Sequence, residues 1–132
     1  MKTLTEFKHV ISKKEFDKIL DKFLPFCQKH LGLEDLPTIR FVSPNVAREK
    51  GSFGTYKKGL ISIDIHQRHP ADVLRTVAHE LTHYKQHTTN QKDPHRGETG
   101  SKTENEANAI AAIIMREFDS AHPEIFKLSH ID

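Results

Sequence analysis

The 132-residue chain has no tryptophan, one cysteine and no apolar run long enough to span a bilayer. A single cysteine, Cys27, rules out an internal disulfide framework and fits a reducing compartment. Set among Phe23, Leu24 and Leu31, it reads as a small buried hydrophobe. The opening "MKTLTEFKHVISKKEF" lacks the apolar centre of a signal peptide, so the expected location is cytoplasmic, which includes a phage-encoded product made inside a cell. Charge of one sign is also lacking. Twenty Lys and Arg face eighteen Asp and Glu, a net +2, and the lysines are spread along the chain. A nucleic-acid binder would gather them on one face or tail, so none is expected as a partner, and neither is a membrane. There is no repeat, low-complexity tract or interdomain linker, and the length suits one domain over residues 1–132.

What the chain does have is histidine, ten in all. Periodicity places them on elements. "SKKEFDKILDKFLPFCQKHLG" predicts a helix, with Ser12 and Glu15 as a capping box, Gly32 as its stop and Pro25 as a kink or break. "TIRFVS" alternates as a strand, and "GSFGTYKKGLISIDIH" predicts a hairpin turning at Lys57-Lys58-Gly59. "HPADVLRTVAHELTHYKQHT" predicts a second helix with Pro70 in its first position. After the polar loop 88–100 comes a third, "SKTENEANAIAAIIMREFDSA", started by Ser101 with Glu104 in the capping-box position. Ala107, Ile110, Ala111, Ile114 and Phe118 make its apolar stripe, and the tail could dock through Ile125, Phe126 and Leu128. The expected class is therefore α+β: an N-terminal helix, a small three-stranded, mostly antiparallel sheet, and two further helices.

Chemistry concentrates in "TVAHELTHYKQH". Leu74, Val77, Ala78 and Leu81 form the apolar stripe, and His79, Glu80 and His83 lie off it. Residues four apart on a helix stack one above the other, so the imidazoles of His79 and His83 can converge on one ion. Glu80 is placed to reach a metal-bound water rather than the metal, the general-base position of the H-E-x-x-H motif. His87, roughly 12 Å from His79 along the axis at 1.5 Å per residue, cannot share that first shell and belongs to the rim. A catalytic zinc needs a third protein ligand and an open position. Gln86 and Thr89 stand where a metzincin would need glycine and histidine, which leaves His95, Glu104 or Glu106. On a helical wheel Glu104 lies nearer the apolar stripe than Glu106 does.

"HELTH" followed by a loop and "ENEANAIAAIIM" resembles the gluzincin zinc peptidases, above all the minigluzincins and the ImmA/IrrE-type family. The resemblance covers roughly residues 36–118 and implies a minimal zincin-like fold. It also implies that a glutamate followed by alanine completes the site, which points to Glu106, with Ala107, Asn108 and Ile110 in the accompanying pattern. Ile110 stands where thermolysin-like enzymes place an acid that orients the first histidine, so the partner of His79 is left unassigned. The implied activity is hydrolysis of a peptide or protein substrate, with Zn²⁺ held by His79, His83 and Glu106 and Glu80 as base. Tyr56, His87, His95 and Arg96 are the donors from which an oxyanion partner would come, while Tyr84 reads as packing. Two other classes stay open: a zinc-stabilised regulatory or interaction module with the same fold and a protein partner, and a metal-free helical binding domain.

Overall fold

The computed structural model describes residues 9–42, 54–89 and 101–132. Strand β1 (His9–Ile11) leads into helix α1 (Lys13–Leu31), then β2 (Thr38–Val42), β3 (Gly54–Lys57) and β4 (Leu60–Asp64). Helix α2 (Pro70–Thr88), helix α3 (Lys102–Ala121), a 3-10 turn (Pro123–Lys127) and β5 (Leu128–Ile131) follow.

Each helix begins where its residues dictate. Ser12 Oγ accepts from the Glu15 backbone N–H while the Glu15 carboxylate accepts from the Ser12 backbone N–H, a complete capping box. Of the kink or break expected at Pro25 there is no break, since α1 runs through it to Gly32, which is in the left-handed conformation, φ 64°. α2 opens on His69, whose Nδ1 accepts from the Ala71 N–H, and on Pro70 at the first helical position.

The three-stranded sheet has the order β2-β4-β3, with the hairpin antiparallel and β2 parallel to β4. Its pairing is thus mixed, with β4 at the centre. Ile61 and Ile63 of β4 are fully buried on the helix side. The hairpin turn has two residues, Lys58 and Gly59, both at positive φ (50° and 78°), the combination that matches strand twist. A second sheet, not foreseen from sequence, pairs β1 with β5 in parallel. It fastens both ends of the described chain, since Asp132 N–H donates to Ile11 O and Ile131 N–H to Arg68 O. The tail docks through Ile125 and Ile131, whereas Phe126, expected to be buried, is 55% exposed.

The core lies between the three helices and the sheet. Phe16, Phe23 and Phe118 are wholly buried, and Phe23 meets Phe118 edge-on with centroids 5.0 Å apart. Each such side chain contributes about 1.5–3 kcal/mol of transfer free energy, enough to fix α1 against α3. Cys27 is fully buried beside them, and desolvation pushes its thiol up to about 12, as suits a packing residue. Val73, Leu74, Val77, Ala78 and Leu81 seat α2 in this core, which leaves the opposite face of α2 to be covered by α3 and β3. No helix among the described residues is long and apolar enough to cross a membrane.

Candidate metal centre

The covered face of α2 carries the histidines. His79 Nε2 and His83 Nε2 are 3.1 Å apart, with the rings at a steep 81° to each other, so both nitrogens aim at one point. The third group there comes from the first turn of α3, and it is Glu104. Its Oε1 lies 2.8 Å from His79 Nε2 and its Oε2 lies 3.1 Å from His83 Nε2. Among the described residues this trio is the one cluster of His, Cys, Asp and Glu that could hold a metal ion.

Glu106, the ligand that the resemblance implied, points elsewhere. It is exposed, and its Oε1 accepts from Gln86 Nε2 at 3.0 Å. The two-residue difference has a simple helical cause. Positions 104, 107, 108 and 111 share the side of α3 that packs on α2, with Ala107 and Ala111 buried, and position 106 is turned roughly 200° from 104 at 100° per residue. Ser101 Oγ still caps the Glu104 backbone N–H at 3.2 Å, but the Glu104 carboxylate is directed to the histidines. His95 and Arg96 lie outside the described residues.

The partners of the imidazoles are also in place. Gln86, 1% exposed, sits one turn after His83 and its Oε1 lies 2.8 Å from His83 Nδ1. Gln86 Nε2 in turn donates to Thr103 O and to Glu106 Oε1, which ties α2 to the start of α3. With Nδ1–H of His83 donating to Gln86, Nε2 is left with its lone pair towards the centre. Asn108, four residues after Glu104, lies near enough to His79 to favour its protonated form. In the sequence, Gln86 stands out only as an excluded metzincin position, and Ile110 leaves the partner of His79 unassigned.

Glu80 faces β3. It is 6% exposed, and its Oε2 is buried without a hydrogen-bond partner. Burial, and after it the charge of Glu104, push its carboxyl up to about 7. Burial also lowers the pKa of His79, against the opposing pull of Glu104. A carboxylate with an orphaned oxygen is costly to bury unless something else occupies the site with it.

Does this donor set fit a zinc ion? Two ligand atoms each 2.0–2.1 Å from a tetrahedral zinc are about 3.4 Å apart. The two imidazole nitrogens are 3.1 Å apart, each has a Glu104 oxygen at 2.8 or 3.1 Å, and one ligand atom from each residue lies within 4.8 Å of the others, close enough to draw onto one ion. Two neutral imidazoles and one carboxylate form a known catalytic ligand set, and the unpaired Glu80 oxygen supplies the adjacent base. The residues fit.

β3 closes one side of the site. A Cβ built on Gly54 would collide with Thr76 Cγ2 and lie 3.5 Å from Glu80 Cγ, so the strand passes α2 at a distance that only glycine allows. Two residues on, the Tyr56 ring packs 5.8 Å from Tyr84 and 5.9 Å from His87, centroid to centroid. Tyr84 is more than packing, since its hydroxyl donates to Asp35 Oδ1 at 2.9 Å. His87 is exposed on the rim, as its spacing required.

Residues 37–122 match the sequence model of Peptidase_M78, the IrrE N-terminal-like domain. No curated protein and no solved structure shows a significant match to the chain.

Proposed function

The chain belongs to the Peptidase_M78 family, and on that premise we propose that it is a zinc-dependent peptidase of the gluzincin kind, with His79, His83 and Glu104 as ligands. The observation that carries this reading is the convergence of those three groups beside the buried, unpaired Oε2 of Glu80. Bound zinc would supply Lewis acidity, polarising a substrate carbonyl and making water acidic near neutral pH.

The protein's own residues do the rest. Glu80 Oε2 takes the proton of the attacking water and passes it to the departing amide nitrogen. A carboxyl pushed up to about 7 suits both halves of that transfer near neutrality. Gln86 holds the His83 imidazole so that its Nε2 stays aimed at the centre. β3 passes close to Glu80 through Gly54, so a substrate at the centre lies beside this strand.

Cleavage of a whole-proteome peptide digest by the zinc-loaded wild type, against Glu80→Gln, tests the proposal. The wild type is expected to cut and the variant to keep its zinc but lose at least a hundredfold in rate, the scale of a general base. Equal turnover by both would overturn the assignment of Glu80. Zinc binding without any cutting by the wild type would favour a regulatory module.

A further inference from the structure

Arg68 is a buried cation outside the metal centre, and it joins the sheet to the helix that carries His79, Glu80 and His83. It precedes α2 and is 8% exposed. Nη1 donates to Asp64 O, at the end of β4, at 2.6 Å. Nη2 donates to Asp72 O and to Thr76 Oγ1 on α2, at 3.2 and 2.6 Å. Nε donates to Asp72 Oδ2 at 2.9 Å, which pairs the charge with a carboxylate that is itself more than half exposed. Asp64 directly follows Ile63, the residue of β4 paired with Gly54. One planar guanidinium thus grips the sheet beside Gly54 and the helix opposite it.

Thr76 carries that grip to β3. Its hydroxyl accepts from Arg68 and donates to Asp72 O at 3.1 Å, which fixes its rotamer. With the hydroxyl so held, the methyl faces the strand: a Cβ added to Gly54 would lie 2.4 Å from Thr76 Cγ2. Glu80 stands one turn further along the same face of α2, with its Cγ 3.5 Å from that Cβ. Glu80 Oε2 has no hydrogen-bond partner, so this oxygen is held by what packs around the side chain.

We propose that Arg68, acting through Thr76, is a positioning residue that sets the spacing of β3 and α2 at Glu80. A buried ion pair recovers little of its desolvation cost as stability, whereas a guanidinium fork is suited to fixing several groups at set angles. The methyl of Thr76 is the spacer, and Arg68 is what aims it. The consequence for cleavage rests on the peptidase reading, in which Glu80 moves the proton. The spacing itself does not.

The test uses the full chain, zinc-loaded, and a synthetic peptide copied from the site best cut in a proteome digest. Thr76→Val keeps a methyl at the gap but removes the acceptor of Arg68. Its kcat is expected to fall about tenfold or more, within the hundredfold that a 1 Å misplacement costs. KM and zinc content should stay as in the wild type, which a general loosening of the fold would not leave untouched. Arg68→Lys cannot make the same set of bonds and should cost a similar factor. Combining it with Thr76→Val should add less than about threefold, because the two act through one contact. Gly54→Ala and Thr76→Ser should each lower kcat. Together they should restore it to within about threefold of the wild type, since the pair moves one methyl across the gap.

Wild-type kcat in Thr76→Val, multiplying losses for Arg68→Lys and Thr76→Val, or no recovery in the Gly54→Ala and Thr76→Ser pair overturns the proposal. Denaturant midpoints of the same variants separate it from the peptidase reading. If the wild type cuts nothing yet both pairs are coupled in stability, the spacing role stands and the peptidase reading falls. If the wild type cuts and neither pair is coupled, the peptidase reading stands and Arg68 has no positioning role. No cutting and no coupling overturns both.

Discussion

Gln86 Oε1 lies 2.8 Å from His83 Nδ1, and the Nε2 of the same amide donates to Thr103 O on the neighbouring helix. One buried side chain therefore orients an imidazole of the metal centre and fixes the helix that delivers Glu104. The two halves of the site, seventeen residues apart at Gln86 and Thr103, are held as a unit by it.

Replacing Gln86 by leucine keeps the volume but strips His83 Nδ1 of its partner and removes the bond from Gln86 to Thr103 O. Zinc affinity is expected to fall about ten- to hundredfold, as for other residues that support a metal ligand. Competition with a chelator of known affinity measures this. An unchanged affinity would show that the His83 ring is held by packing alone.

Gly54→Ala places a methyl group into Thr76 Cγ2 and beside Glu80 Cγ. The strand must shift away from α2, at a cost of about 1–3 kcal/mol, the usual range for overpacking. Denaturant unfolding should show the loss, and peptide cleavage should fall by more than the unfolded fraction explains. Wild-type stability and activity would mean that the β3–α2 approach is not a constraint.

Glu80 also predicts how stability depends on pH in chelator-treated protein. Its folded-state carboxyl is raised from an ordinary value of 4.5 to about 7, so the native state binds the proton more tightly than the unfolded chain does. The sign follows: the penalty is absent below pH 4.5, grows as pH rises through 7, and is fully present above that. At 1.36 kcal/mol per pH unit it reaches about 3 kcal/mol. Glu80→Gln should therefore be more stable than the wild type at pH 8, with the gap closing by pH 4.5. A gap constant with pH would contradict the buried, unpaired placement of this carboxyl.

Much of this was legible in the sequence, and for identifiable reasons. The capping box at Ser12–Glu15, the turn within Lys57-Lys58-Gly59 and the spacing of His79, Glu80 and His83 are local patterns, fixed by backbone geometry within a few residues. The third ligand was less accessible. The resemblance pointed to Glu106, while the apolar stripe of α3 favoured Glu104, and the packing of Ala107 and Ala111 on α2 follows the stripe. On the proposed assignment of Glu104, the position four residues later is Asn108, which lies near His79. The pairing of β1 with β5 could not be read, because strands of three and four residues carry no usable periodicity and join the two ends of the chain. Phe126 was expected inside on hydrophobicity alone, and the 3-10 turn leaves it outside.

The central claim is that Glu104, not Glu106, completes a zinc site with His79 and His83. Zinc content measured by mass spectrometry after dialysis against a mild chelator, for Glu104→Ala and Glu106→Ala side by side, tests it most directly. Glu104→Ala is expected to lose its zinc and Glu106→Ala, deprived only of a contact to Gln86, to retain most of it. Retention by Glu104→Ala together with loss from Glu106→Ala would contradict that assignment.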